Sequence, residues 1–247
     1  MLFAVDIGNT TITCGLFRKN SLVRRFSFAT RQADYYTSMK KGVGTSLPEK
    51  AIVSSVVPKA STRLHLALRY LQIPDITILG KDRVVPVPNR YRHPKQVGQD
   101  RLVNAYAAIK LYGSPAVVVD FGTAITFDVI SAKSEYIGGM ILPGIGISLS
   151  ALAKETALLP KVKLGKPPAG MIGKTTEESI LSGVIFGFAG LTDGLLIKLR
   201  KKLGPRTHLI GTGGNIDFIA RYCNNLKIID IDLTLKGLQL ISDHPDL

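Results

Sequence analysis

Cysteine is scarce in this 247-residue chain, which holds only two. Cys14 and Cys223 have no CxxC partner and no metal-like spacing, so cysteine-based metal sites are excluded and free cytoplasmic thiols are expected. Long apolar runs are missing too. None reaches the roughly 18 residues that span a bilayer, so no membrane span is expected. The N-terminus shows no basic segment followed by an apolar one, so no secretory signal is expected either. Acidic residues are few: 18 Asp and Glu face 32 Lys and Arg, for a net charge of +14. That balance suits anionic substrates or nucleic acid. The basic residues, however, are scattered among Arg24-Arg25, Lys40-Lys41, 161–166 and 198–202. No aromatic-interleaved basic stripe and no helix-turn-helix pattern accompanies them, so they read as a solvated surface and nucleic acid is not an expected partner. Hydrophobic residues at 45% and charged residues at 20% describe a soluble globular protein, long enough for one large domain or two small ones.

What is present begins with residues 3–17, FAVDIGNTTITCGLF. The pattern predicts a strand, a tight turn and a second strand. The turn holds Asp6, Ile7, Gly8, Asn9, Thr10, Thr11, Ile12 and Thr13: one carboxylate, one glycine and several small polar side chains. Such a turn can offer backbone N–H groups to phosphate oxygens, and Asp6 can offer charge to a magnesium ion. It is equally the composition of an ordinary hairpin. The stretch occurs twice, however. Residues 117–130 read VVVDFGTAITFDVI, and Asp120, Gly122, Thr123 and Thr126 echo Asp6, Gly8, Thr10 and Thr13 with one residue of slippage at Asn9. The two aspartates are 114 residues apart (120 − 6), close to half of the chain. The repeat predicts a duplicated domain, with each copy contributing one loop to a shared ligand in a cleft between them.

Around these turns the chain alternates strand and helix signals. Residues 22–28 predict a third strand, 30–42 a short helix, 51–57 a buried strand stopped by Pro58, 59–71 a helix and 76–79 a short strand. The stretch 84–99, with Pro86, Pro88 and Pro94, predicts a loop leading into a helix that Gly113 stops. In the second half, 136–142 predicts a strand, 148–159 a helix stopped at Pro160, and 161–173 an exposed excursion. A long helix follows over 177–203, and its glycines at 183, 187, 190 and 194 suggest close helix packing. A strand at 208–210 runs into Gly211-Thr212-Gly213-Gly214-Asn215, a strand-to-helix turn of the kind that contacts nucleotides. A strand at 227–231 and a helix at 235–242 end the chain. The expected fold class is α/β: two halves, 1–114 and 115–247, each a mixed sheet flanked by helices.

Gly173-Lys174-Thr175 imitates the end of a P-loop, but Pro168 stands where the motif needs glycine and no strand precedes it, so a P-loop nucleotidase is excluded. Asp100 opens a helix beside the proline-rich loop. Two roles fit it, a helix N-cap or a cleft carboxylate that accepts a substrate proton, and periodicity does not separate them.

With these residues laid out, the chain resembles the type III pantothenate kinases of the acetate and sugar kinase, Hsp70 and actin superfamily. The resemblance runs nearly end to end. It comprises DIGNT at 6–10, SSVVP at 54–58, the Tyr91 loop with VGQDR at 97–101, DFGTAIT at 120–126, GGMILPG at 138–144 and ALLPKV at 157–162, then IGKTTEESILSG at 172–183, TGGN at 212–215 and DLTLKGL at 232–238. It implies two ribonuclease-H-like (actin-like ATPase) halves and a homodimer, with ATP-dependent phosphorylation of pantothenate, the first step towards coenzyme A. It also implies residue roles. Asp6 to Thr13 resemble the first phosphate loop, with Asp6 towards Mg2+. Asp120 resembles a ligand for a monovalent cation, K+ or NH4+, and Thr123 a nucleotide contact. Asp100 matches the base that takes the proton of the pantothenate hydroxyl. Tyr91, Gly98, Gln99 and Arg101 match substrate contacts, and Thr176 matches one supplied by the neighbouring subunit. One departure stands at 173–176, GKTT where the family more often has GKNT. Two other readings remain: a basic regulatory or nucleic-acid-binding protein on a kinase-like fold, and a kinase of another small alcohol such as a sugar.

Overall fold

The computed structural model describes residues 1–165, 168 and 170–244. The chain opens with an antiparallel meander, β1 (Leu2–Ile7), β2 (Thr11–Arg18) and β3 (Ser21–Ala29). Asp34 then accepts the Thr37 N–H and starts α1 (Tyr35–Val43), so the helix expected over 30–42 begins only where this cap forms. Next come β4 (Lys50–Ser55), α2 (Pro58–Tyr70), β5 (Asp75–Ile78), a 3-10 turn at Pro94–Gln96 and α3 (Gln99–Leu111). Pro58 occupies the first turn of α2, where its missing N–H has no cost.

The sheet order is β3-β2-β1-β4-β5, with β1, β4 and β5 parallel. This places β1 at the centre and explains its unbroken apolar run: Phe3, Ala4 and Val5 are fully buried. β3 lies at an edge and accordingly carries an exposed Arg24-Arg25 pair. Phe3, Val5, Ile12, Met39 and Leu64 form the core of this unit with side chains of α1 and α2. Each side chain of that size contributes roughly 1.5–3 kcal/mol by leaving water.

The second sheet repeats the first. β6 (Ala116–Phe121), β7 (Ala124–Ile130) and β8 (Tyr136–Pro143) form the antiparallel meander. After α4 (Ile145–Glu155) and α5 (Thr176–Leu203) come β9 (His208–Thr212), α6 (Ile216–Ile219) and β10 (Ile228–Ile229). The order β10-β9-β6-β7-β8, with β9 and β10 parallel to β6, is the first sheet's order strand for strand. The two mixed sheets flanked by helices are the duplicated α/β fold expected from the repeat. The chain divides into two compact units, Met1–Leu111 with the segment from Asp232 onward, and Tyr112–Ile231.

Several local expectations shift. α4 starts at Ile145, not 148, because the Gly144 carbonyl already accepts the Ser148 N–H; it ends at Glu155, short of Pro160. The last strand keeps two residues of the five expected. The excursion expected over 161–173 lies in part outside the described residues, at 166, 167 and 169; within it Val162 is buried in the second unit's core. Among the described residues of this chain the glycines of α5 have no close neighbour. A Cβ built on Gly183, Gly187, Gly190 or Gly194 would meet nothing within 4 Å. Gly183 and Gly187 instead open onto a cavity of about 600 Å3 against α4, lined by Leu152, Val184, Phe188 and Leu191. α5 is also long and apolar enough to cross a membrane, with a mean hydropathy of 1.9 over its best window, which uninterrupted-run counting overlooks. Its Ile180, Val184, Ile185, Ala189 and Leu196 are buried in the second unit's core.

The last helix, α7 (Leu233–Asp243), departs from the division at 114/115, which placed it with the second half. It packs in the first unit against α3, where Thr234 Oγ1 donates to Asn104 Oδ1 at 2.7 Å and a Cβ on Gly237 would come within 2.8 Å of Val103. Among the described residues of this chain, close helix packing through glycine therefore occurs here, at Gly237, and not at the glycines of α5.

Candidate active site

In the first unit the turn between β1 and β2 is closed by the Gly8 N–H, which donates to the Thr11 carbonyl at 3.0 Å. Ile7 and Ile12 anchor its two legs in the core, while Asn9, Thr10 and Thr11 stand exposed at the tip. Asp6, half-buried at the base, has Thr13 opposite it on β2 and Ser54 opposite it on β4. Ser54 is fully buried, and its hydroxyl finds no hydrogen-bond partner among the described residues. Burial, then the Asp6 charge, push the Cys14 thiol up, so this cysteine stays protonated inside the sheet.

The second cluster of predicted residues starts α3. Gly98 precedes its first residue, and Asp100 lies within the first turn, one position past Gln99. Asp100 is therefore not the N-cap. Its Oδ1 accepts the N–H of Arg101 at 2.8 Å and folds back over Gly98, where any Cβ would run into it. Burial pushes the Asp100 carboxyl above the usual aspartate range, against the lowering effects of the Arg101 N–H and guanidinium. Arg101 itself is 8% exposed, an unusual burial for a guanidinium and a sign of a fixed position. Gln99 lays its carboxamide against Gly80. The Val56 side chain borders Gly98, and the Val56 N–H donates to the Ile7 carbonyl at 3.2 Å. One strand end thus joins the helix start of Asp100 to the base of the Asp6 turn. Tyr91 stands in the proline-rich loop, its N–H held by Asn89 Oδ1 at 3.0 Å.

In the second unit the β6–β7 turn repeats the geometry: Asp120 pairs with Thr126 as Asp6 pairs with Thr13, and Thr212 replaces Ser54 on the parallel neighbour. Gly213, at φ +98°, comes so close that a Cβ would collide with the Asp120 carboxylate and with Phe121. Asn215 donates its N–H to the Phe121 carbonyl at 3.0 Å and its side-chain amide to the Gly122 carbonyl at 3.4 Å. Thr123 is exposed at the tip. Thr176 is exposed in the first turn of α5. The unusual Thr175 beside it has a local task. It caps α5 reciprocally with Glu178, whose Oε2 also takes the Lys174 N–H at 2.8 Å.

Sequence reasoning reached both turns and the start of α3 but missed Thr30 and Gly144, which hold the turns, and gave Asn215 only a place in a nucleotide-contact turn. The internal repeat carried only part of the signal: past the slippage at Asn9 the offset is 113 (126 − 13), which maps residue 30 to Pro143, and it is the sheet register, with Ala29 opposite Thr11 and Pro143 opposite Ala124, that makes Gly144 the counterpart of Thr30.

Comparison with known proteins follows the same outline. The family model described as type III pantothenate kinase matches residues 2–198. A type III pantothenate kinase of Thermomicrobium roseum is 42% identical, covering 97% of this chain and 95% of that protein. One from Rubrobacter xylanophilus is 41% identical over 98% of this chain and 97% of its own. Among solved structures, a Baf family protein of Campylobacter jejuni, described as a transcriptional activator, aligns at TM-score 0.57 and 18% identity over 97% of this chain and 95% of that one. At that identity the likeness is one of fold alone.

Proposed function

The chain belongs to the type III pantothenate kinase family, and we propose residue roles for that family's reaction in this protein. The enzyme transfers the terminal phosphoryl group of ATP to the hydroxyl of pantothenate, giving 4'-phosphopantothenate, the first step towards coenzyme A. Phosphoryl transfer asks a protein mainly for positioning and charge neutralisation, with one group to accept the nucleophile's proton.

Asp100 is that group. The observation that carries the assignment is its place: a carboxylate in the first turn of α3, held over Gly98 by the Arg101 N–H rather than spent on capping, with its pKa raised by burial. A raised carboxylate is a better proton acceptor near neutrality than an ordinary one. Tyr91, Gly98, Gln99 and Arg101 surround the acceptor, with Arg101 facing its carboxylate end. The turn from Asp6 to Thr13 takes the nucleotide phosphates, and Thr123 adds a nucleotide contact in the second unit. The donors fit the ions of this reaction: Asp6 is a hard oxygen ligand of the kind magnesium takes, and Asp120 one for potassium or ammonium. Magnesium, when bound, neutralises charge on the phosphoryl oxygens. The resemblance extends to a homodimer in which Thr176 reaches the neighbouring subunit's substrate. The free thiols of Cys14 and Cys223 accord with a cytoplasmic enzyme. The regulatory alternative is not favoured, because the relatives near 40% identity are pantothenate kinases while the transcriptional-activator description belongs to a protein 18% identical.

The test is phosphate transfer from ATP with pantothenate, with and without potassium or ammonium, for the wild type and Asp100→Asn. Monovalent-cation-dependent turnover that falls by about 10²–10⁴-fold in the variant is expected. Unchanged turnover in Asp100→Asn removes the base assignment, and no turnover by the wild type removes the reaction.

A further inference from the structure

The β1–β2 turn presents its phosphate-facing side only if its carbonyl groups point elsewhere, because an outward carbonyl oxygen repels an anion that an outward N–H attracts. Two of the turn's carbonyls are taken by a single residue outside it. Thr30, just past β3 and 5% exposed, donates its hydroxyl to the Gly8 carbonyl at 2.8 Å and its N–H to the Thr10 carbonyl at 2.9 Å. Thr30 is in turn fixed by its surroundings. Tyr35 Oη donates to the Thr30 carbonyl at 2.5 Å, and Arg63 lies over the Tyr35 ring while binding the carbonyls of Gln32 and Ala33, both at 2.6 Å.

The second unit supplies an internal comparison. Gly144 occupies the position equivalent to Thr30, and its N–H donates to the Thr123 carbonyl at 3.2 Å, as the Thr30 N–H does to Thr10. Gly144 has no hydroxyl, and any Cβ there would run into the carbonyls of Thr123 and Gly122. The remaining carbonyl, Gly122, is taken instead by the Asn215 side chain at 3.4 Å. The Thr10 and Thr123 carbonyls are tied back by a backbone N–H in both copies, whereas the Gly8 and Gly122 carbonyls are tied back by different side chains, a hydroxyl and an amide. A tie reinvented in this way serves the turn itself and not merely the packing of one strand end.

We propose that Thr30 is a positioning residue for the nucleotide phosphates: its hydroxyl and N–H draw the Gly8 and Thr10 carbonyls back so that the turn's N–H side faces the anion. This rests on the assignment of that turn to ATP phosphates. Thr30→Val keeps the shape and the backbone tie but removes the hydroxyl, whereas Thr30→Ser keeps both ties. Direct titration with a non-hydrolysable ATP analogue and magnesium, beside steady-state kinetics, gives the readout. Thr30→Val is expected to weaken analogue binding and raise the KM for ATP about five- to tenfold, the usual worth of one hydrogen bond, with the KM for pantothenate unchanged. Thr30→Ser is expected to bind like the wild type. Tyr35→Phe, which removes only the bond to the Thr30 carbonyl, is expected to show a smaller change in the same direction and serves if Thr30→Val does not fold. Unchanged analogue affinity in folded Thr30→Val overturns the proposal, as does equal weakening in Thr30→Ser. In a Tyr35→Phe fallback, an unchanged affinity likewise overturns it. A wild type that does not bind the analogue overturns the phosphate assignment itself, a separate result.

Discussion

Asp100 can be read in two ways from its neighbours, and its surroundings decide which property each experiment will sense. Its folded pKa is raised by burial, so the proton is held more tightly in the folded state than in the unfolded one. The ionised form therefore weighs against folding at pH above the folded pKa, and that burden is relieved as pH falls towards the unfolded value. The base is lost as pH falls through the raised folded pKa. We expect the acid limb of the kcat/KM profile to lie above the ordinary aspartate range and to vanish from the residual activity of Asp100→Asn. The same variant should be at least as stable as the wild type at neutral pH in thermal unfolding, since it keeps an acceptor for the Arg101 N–H and discards a partly desolvated charge. A clear drop in its melting temperature would mean that Asp100 is chiefly a structural residue. The sequence placed Asp100 at a helix start but not within its first turn, because one residue of register there depends on where Gly98 lets the chain enter the helix.

Among the elements, α5 shows how composition misleads when no neighbour is known. Four glycines spaced along one helix suggested a partner helix at close range, yet a Cβ on any of the four would meet nothing within 4 Å among the described residues of this chain. Glycine in an exposed helix interior costs conformational entropy without return, roughly 0.5–1 kcal/mol relative to alanine. Gly194→Ala should therefore raise the melting temperature by the equivalent of about 0.5–1 kcal/mol. A lowered melting temperature would show that this face of α5 is covered in solution. The start of α5 was easier to anticipate: Thr175 and Glu178 stand at the spacing of a capping box, and the structure forms both of its bonds. α4, by contrast, starts three residues before its expected position, because a glycine carbonyl can accept the first helical bond without any side-chain signal.

At the scale of the whole molecule, duplication and chain order part company at the last helix. α7 follows the second unit in sequence but buries Leu233, Leu235, Leu238 and Ile241 in the first. A chain ending after Ile231 should lose hydrogen-exchange protection in β1, β4 and α3 while keeping it in β6 and β9. Loss confined to the second unit would contradict this assignment. The sequence by itself determined the repeat, both carboxylate turns, the strand order's ingredients and the family. These rest on local patterns: alternation of apolar and polar residues, turn composition and motif spacing are carried by neighbours along the chain. Only the tertiary structure decided that Thr30 ties both carbonyls of its turn while Gly144 ties one and leaves the other to Asn215, and that α7 returns to α3. Those facts depend on which groups meet across 22, 21 or 130 residues of chain. Contacts at such separations are selected by packing and hydrogen-bond satisfaction in three dimensions, where Gly237 matters because Val103 lies 2.8 Å from the Cβ it lacks.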